Sequence, residues 1–362
     1  MAKVVIDPWG STLIKNYNDV VNKFNLEKFN SGSFPKPNRL MRRNIVFAGT
    51  DLNVISNAIK NRKKYYALTG IMPSSEKVHF GTKAVVENLK YFQDNNASTY
   101  ILIADLEANC TRGISLKEAR EVAMNFHIPA YLALGLDIKK TIFYFQSDNR
   151  KVLNYAYDFS RKITLNEFRA IYGSTEPSRI MAAVTQVADI LYPQFNEKIP
   201  GIIPVGIDQR NHIQLTRDVV SRFKDYGFIS PSALYTKFTP SLDGDIKMSK
   251  SSPESMIELP EDINSVCKKI RKAVTGGRKT LEEHRRLGAM VEKDMVFELL
   301  KQHLIEDDNE LQAIYDDYSS GKMTSNEIKE LACEKITVFM NKFNSNLEKA
   351  RDNISKVKFI EM

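Results

Sequence analysis

The sequence predicts an α/β protein in which an open parallel sheet is followed by a separate all-helical domain. Three observations predict it. From about residue 65 to residue 208, short apolar and β-branched runs alternate with helical patterns, as in a parallel sheet with crossover helices. Two of those runs, 98–108 and 199–208, have the look of strands buried on both faces. From about Asp262 onward only helical periodicity remains. A chain of 362 residues is long enough for two or three domains. The expected division is an N-terminal extension over 1–64, a sheet domain with a helical insertion over 65–261, and a helical domain over 262–362.

Taken in order, the first segment ends in the turn-rich stretch S-G-S-F-P-K-P-N (31–38), which reads as a linker. Asp51 then caps a short helix with Val54, Ile55 and Ile59 on its apolar face. Residues 65–70 form a strand stopped by Gly70. Residues 79–93 follow as a helix, with Val85, Val86, Leu89 and Phe92 at helical spacing. The runs 98–108 and 199–208 are further strands. Near the C-terminus, Ile263, Val266, Cys267, Ile270 and Val274 share a helix face that Gly276 and Gly277 terminate. Thr280 with Glu283, and Thr324 with Glu327, have the spacing of capping boxes. Ile328, Leu331, Ala332, Ile336, Phe339, Met340 and Phe343 form the stripe of the last long helix.

Composition narrows the function. Hydrophobic residues at 43% and charged residues at 27% describe an ordinary globular chain and exclude a disordered one. A net charge of +8 suits a polyanionic partner. No apolar run approaches the length of a membrane span, and M-A-K-V-V-I-D-P-W-G-S lacks the apolar core of a signal peptide, so the expected location is cytoplasmic. Cys110, Cys267 and Cys333 form no C-x-x-C, and the five histidines form no H-x-x-x-H. A structural zinc site, a disulfide framework and a protein-ligated metal are therefore not expected.

The chemistry-bearing signals lie at expected strand ends. In a parallel sheet, ligands bind beyond the carboxyl ends of the strands, where L-T-G, A-D-L-E-A and V-G-I-D-Q fall. There is no Walker loop and no G-x-G-x-x-G. Instead, L-T-G-I-M-P-S-S-E-K-V-H-F-G-T-K runs from a strand through a polar turn to a helix starting near His79 and Gly81. A helix start offers unpaired N–H groups and a positive dipole end to phosphate. Glycine there lets a flat base approach the backbone, and His79 can donate to phosphate oxygens. About 165 residues later comes G-D-I-K-M-S-K-S-S-P-E-S-M (244–256). Here Lys247 and Lys250 stand three apart among turn residues, fit to close over a polyphosphate.

Together these segments resemble the two signature motifs of class I aminoacyl-tRNA synthetases. Over nearly the whole chain the sequence resembles the tryptophanyl-tRNA synthetase family of the archaeal and eukaryotic type. The carrying residues are D-P-W (7–9), R-L-M-R-R-N-I-V-F (39–47), G-I-M-P-S-S-E-K-V-H-F-G (70–81) and V-G-I-D-Q-R-N-H-I-Q-L-T-R-D (205–218). I-K-M-S-K-S-S-P (246–253) and G-G-R-K-T-L-E-E-H-R-R-L-G (276–288) complete the set. The resemblance implies a Rossmann-like catalytic domain over 65–261 and an anticodon-binding helical domain over 262–362. It also implies ATP with Mg2+ as a substrate complex, L-tryptophan and tRNA(Trp) as partners, and a homodimer, with no membrane.

The implied catalytic residues are His79, Lys247 and Lys250, which stabilise the charge that builds on pyrophosphate as it leaves. The implied ATP site adds Gly70, Met72, Pro73, Ser74, Gly81, Thr82, Gly206, Asp208, Met248 and Ser249. Many relatives carry a second histidine where this chain has Thr82, whose hydroxyl can still bond a phosphate or ribose. Trp9 is by default a hydrophobic anchor, and the resemblance puts the D-P-W region near bound ATP.

The amino-acid site is expected from Leu68, Glu107, Gln186, Asp189 and Gln209. Tyrosine is the alternative substrate, because Q-V-A-D-I-L (186–191) resembles both the tyrosyl and the tryptophanyl pattern. In the first family the Asp receives a phenol O–H, in the second it accepts the indole N–H. Leu68 removes a polar partner that the phenol would need, and departs from the eukaryotic tryptophanyl pattern too, which has a tyrosine there; Lys250 leans toward tryptophan, and the 276–288 match favours it. Glu107 aligns with an acidic residue that meets the substrate ammonium. Lys268, Lys269, Arg271, Lys272, Arg278 and Lys279 are the expected contacts to tRNA phosphates. A binding protein without chemistry would lack His79 or the lysine pair, and a nucleotidyltransferase without tRNA would have no use for the basic helical domain.

Overall fold

The structure, a computed structural model, describes residues 16–244, 248 and 253–360. Among these residues ten strands form two sheets. In chain order they are β1 (Glu27–Lys28), β2 (Val46–Thr50), β3 (Tyr66–Ile71), β4 (Val78–His79) and β5 (Ser98–Ile103). Then come β6 (Thr141–Phe145), β7 (Gly201–Gly206), β8 (Ser232–Thr236), β9 (Glu258–Leu259) and β10 (Lys358–Phe359). The main sheet runs β1-β2-β8-β7-β3-β5-β6-β10. From β8 to β10 the pairing is parallel, and β2 and β1 add antiparallel at one edge.

The five strands from β3 to β8, leaving aside the short β4, lie in the doubly wound order, and the direction of winding reverses between β3 and β7. That reversal opens a crevice beyond Ile71 and Gly206. The expected parallel sheet is therefore present, and its central strands are apolar because helices cover both faces: β8 is buried at every position.

Several local expectations are corrected. The run 98–108 is a strand only to Ile103. From Asp105 to Arg112 it is a helix, with Asp105 and Glu107 in the first turn, where the helix dipole favours carboxylates. Asp51 does not cap its helix through its side chain, and its backbone is left-handed at φ 49°. The Glu27 carboxylate instead accepts the Asp51 N–H at 2.8 Å. Val54 is exposed, and Leu52, Ile55 and Ala58 face inward. The stretch 31–38 is no loose linker, since Phe34 is buried against Phe29, Tyr91 and Phe92.

The C-terminal part is helical except for β10, which extends the main sheet beside β6. The helix Ile263–Lys272 gives way to extended backbone at Ala273, so Val274 lies outside it and is exposed. Gly276 allows close backbone approach: a Cβ there would lie 2.1 Å from the Met290 carbonyl oxygen. Only at Thr324 and Glu327 are both halves of a capping box made among the two expected pairs. The long helix Ser325–Asp352 buries Ile328, Ala332, Ile336, Met340 and Phe343, as its spacing predicts.

An ionic cluster ties this part to the helices Arg39–Arg42 and Phe80–Asp94. Arg39 is buried and reaches Glu87 at 2.6 Å and Glu306 at 3.1 Å, and Lys83 reaches Glu87 at 3.0 Å. Burial pushes the Glu87 carboxyl up, but Lys83 and Arg39 outweigh it and hold the group below its ordinary value. Arg43 donates to the carbonyls of Lys301 and Ile305. Among the described residues no helix is long and apolar enough to cross a membrane.

Candidate active site

At the crevice between β3 and β7 lies a cavity of about 320 Å³. Its wall includes Leu68, Gly70, Met72, His79, Gly81, Thr82, Glu107, Gln186, Gly206, Asp208, Gln209 and Met248, so twelve of the expected site residues meet in one place. They come from positions up to 180 residues apart (68 to 248), and the winding of the sheet is what gathers them.

The turn from β4 into the helix Phe80–Asp94 sets the first motif. His79 is the N-cap in extended backbone, and its Nδ1 accepts the Gly81 N–H at 3.0 Å. With Nδ1 accepting, the neutral ring carries its proton on Nε2, which is a donor. Gly81 is required by this fold-back: a Cβ there would lie 2.8 Å from His79 Cε1. The same strand pairs antiparallel with β9, Val78 opposite Leu259 and His79 opposite Glu258. A Lys77–Glu258 ion pair at 2.7 Å closes the edge. The first motif is thereby bonded to the segment just after the second.

Of the second motif, Lys247, Ser249 and Lys250 lie outside the described residues, as does Trp9 with the D-P-W segment. Met248 is buried on the cavity wall, and its N–H donates to the Thr239 carbonyl at 3.0 Å. Ser241 and Leu242 both donate to the Ser255 carbonyl. Pro73 and Ser74 belong to the turn between β3 and β4 but do not line the cavity, and the Ser74 N–H bonds to the Met72 carbonyl at 2.8 Å.

The end of the cavity expected to take the amino acid is mostly apolar. Leu68, Leu102, Ile190, Ile203 and Val205 line it, with Gln186 among them. The Gln186 Oε1 is buried with no hydrogen-bond partner among the described residues. Asp189 lies one turn further along the helix Pro177–Leu191, behind the wall and fully buried. Its carboxylate accepts from Tyr144 Oη at 3.0 Å and Gln146 Nε2 at 2.5 Å. Burial pushes its pKa up to about 7, against those two bonds, which lower it. Glu107 is buried on the wall.

Sequence reasoning missed Thr236, Thr239, Tyr131 and His212, which also line the cavity. The end of β8 carried a usable signal, since its strand end belongs to the same ligand-facing edge. His212 is held by Tyr172 Oη at 2.9 Å, and burial pulls its pKa down to about 3, so it is neutral. Nothing in the local sequence distinguishes it.

Among the basic residues, Lys268, Arg271, Lys272 and Lys279 are exposed. Arg271 pairs with Glu330 at 2.8 Å. Lys269 turns inward, to Glu261 at 2.6 Å and the Met256 carbonyl at 2.8 Å, and Arg278 donates to the Gly288 carbonyl. Lys269 is therefore committed inside the protein, contrary to its expected place against phosphate.

Comparison with known proteins bears on this arrangement. Residues 60–341 match the model of tRNA synthetases class I (W and Y). The tryptophan–tRNA ligase of Methanocaldococcus jannaschii is 39% identical over 99% of both chains, and that of Hyperthermus butylicus is 39% identical over 96% of both. Among solved structures, the tryptophanyl-tRNA synthetase of Aeropyrum pernix superposes with a TM-score of 0.89 at 38% identity, covering 97% of this chain and 98% of its own. A tryptophan-bound enzyme from Encephalitozoon cuniculi gives 0.85 at 28% identity, covering 96% and 98%.

Proposed function

This chain belongs to the class I tRNA synthetases of the W and Y group, and from that premise we infer that it is a tryptophan–tRNA ligase. It joins L-tryptophan to ATP, releases pyrophosphate, and passes the acyl group to tRNA(Trp). The observation that carries this reading is the cavity that unites the His79–Gly81–Thr82 turn, the Gly206–Asp208 turn and Met248 at the switch point of the sheet.

The tryptophan carboxylate attacks the α-phosphate, and negative charge builds on the departing pyrophosphate. No protein nucleophile is needed, so catalysis rests on orientation and cationic stabilisation. His79 presents Nε2–H from the helix start, whose N–H groups and dipole favour phosphate. Lys247 and Lys250 supply the opposing charges, and Mg2+ enters with ATP. Met72, Gly70, Gly206 and Asp208 bound the nucleoside, while Glu107 and Gln209 hold the amino acid's charged end.

The apolar wall around Leu68 and Leu102 accepts the indole, and Gln186 Oε1 takes its single N–H. Asp189 supports that wall from behind, through Tyr144 and Gln146. Residues 262–362 serve the anticodon end, with Lys268, Lys272 and Lys279 exposed toward phosphate. A homodimer belongs to the same reading; Tyr157, Leu165 and Met181, exposed on the helices between β6 and β7, suit a second copy.

Pyrophosphate exchange into ATP, run with each of the twenty amino acids in turn, tests the whole reading. Exchange should depend on tryptophan. Exchange driven by tyrosine instead would overturn the substrate assignment, and none with any amino acid would overturn the reaction.

A further inference from the structure

Between the two signature segments lies a residue that neither contains. His303 sits in the π-helical turn Leu300–Leu304 of the C-terminal part and is 2% exposed. Its Nε2 lies 3.0 Å from Thr239 Oγ1. Its ring meets Phe80 edge to face, with centroids 4.8 Å apart. Phe80 opens the helix that His79 caps. Thr239 offers its carbonyl to the Met248 N–H at 3.0 Å, and both residues line the cavity. A single imidazole therefore touches the start of one motif and the backbone hook of the other.

We propose that His303 is a positioning residue for adenylate formation, a strut that holds Phe80 and Thr239 at fixed separation so that His79 and Met248 keep station around ATP. The proposal rests on reading this cavity as the adenylating site. Packing alone does not account for a histidine here. A phenylalanine ring would make the same edge contact with Phe80, yet Nδ1 of His303 is buried with no hydrogen-bond partner among the described residues. Burying an orphan nitrogen is unfavourable. What the imidazole adds over phenylalanine is the bond to Thr239. Burial holds the ring neutral, helped by the charges of Lys83 and Arg39, so it neither repels those cations nor competes with them for phosphate. Irregular π turns of this kind recur at functional sites.

The test compares wild type with His303→Phe, His303→Gln, Thr239→Val and the His303→Phe/Thr239→Val double variant, in tryptophan-dependent pyrophosphate exchange and thermal melting. His303→Phe and Thr239→Val should each lower kcat by about tenfold, the scale of one lost hydrogen bond expressed in the transition state. The Michaelis constant for tryptophan should stay unchanged. The double variant should be no worse than either single one, because both remove the same link. His303→Gln, which keeps a polar group near Thr239, should recover part of the loss, and it carries the test with Thr239→Val if the phenylalanine variant does not fold. Exchange within twofold of wild type, additive losses, or losses that track melting temperature would overturn the proposal. A wild-type chain without tryptophan-dependent exchange would instead sink the reading of the site itself.

Discussion

Replacing Gly81 with alanine separates the chemistry of the first motif from its stability. A Cβ on Gly81 would stand 2.8 Å from His79 Cε1 and 2.9 Å from Nδ1. Favourable carbon contacts lie at about 3.5–4.0 Å, so the imidazole must retreat by about 1 Å. That retreat breaks the 3.0 Å bond by which Nδ1 caps the helix. A lost N-cap costs about 1 kcal/mol. Alanine in a helical position regains about 0.5–1 kcal/mol over glycine. The two nearly cancel, and the melting temperature should move by less than about 3 °C. Catalysis has no such offset, because a group misplaced by about 1 Å can cost about 10²-fold in rate. The assay is tryptophan-dependent pyrophosphate exchange at saturating substrates, beside a calorimetric melt. Exchange near the wild-type rate would refute the role given to His79. A large fall in melting temperature would refute the offset.

Three further outcomes concern the cavity, its support and the helical part. The Lys247→Ala/Lys250→Ala double variant should slow exchange by at least about 10²–10³ while leaving tryptophan binding, read by calorimetry, near wild type; unimpaired exchange would make that stretch an ordinary loop. Asp189, raised from 3.8 to about 7 by burial, binds a proton that the unfolded chain has already released over that range, so stability should fall as pH rises from about 4 to 7 and then level off. The fall is on the order of 4 kcal/mol, and denaturant melts of Asp189→Asn should lack it; parallel curves for the two proteins would contradict the assignment. Affinity for tRNA should weaken with salt, and removing Lys268, Lys272 and Lys279 together should flatten the log–log slope, whereas removing inward-turned Lys269 should lower stability instead; an unchanged slope after the triple change would put the tRNA elsewhere.

The parallel sheet and the place of its ligand edge follow from the order of residues alone. Strands such as β3 and β7 are apolar because both their faces are covered, and that composition is visible without knowing what covers them. The H-F-G turn was likewise legible, since a helix start is a local matter. The rest depends on contacts between residues far apart along the chain. Residues 31–38 read as a linker because Phe34 acquires its burial from Tyr91 and Phe92, almost sixty residues on. Asp105 looked like strand because its neighbours are apolar, and the distant Ser147 holds it at the helix start, its N–H and hydroxyl both donating to the carboxylate. Gln186 and Asp189 share one helix face in sequence, about 60° apart. Tyr144 and Gln146 draw Asp189 behind the wall and leave Gln186 on the cavity. His303 carries no local signature, because its meaning lies in Phe80 and Thr239, which only the packing of the C-terminal part against the first motif brings within reach.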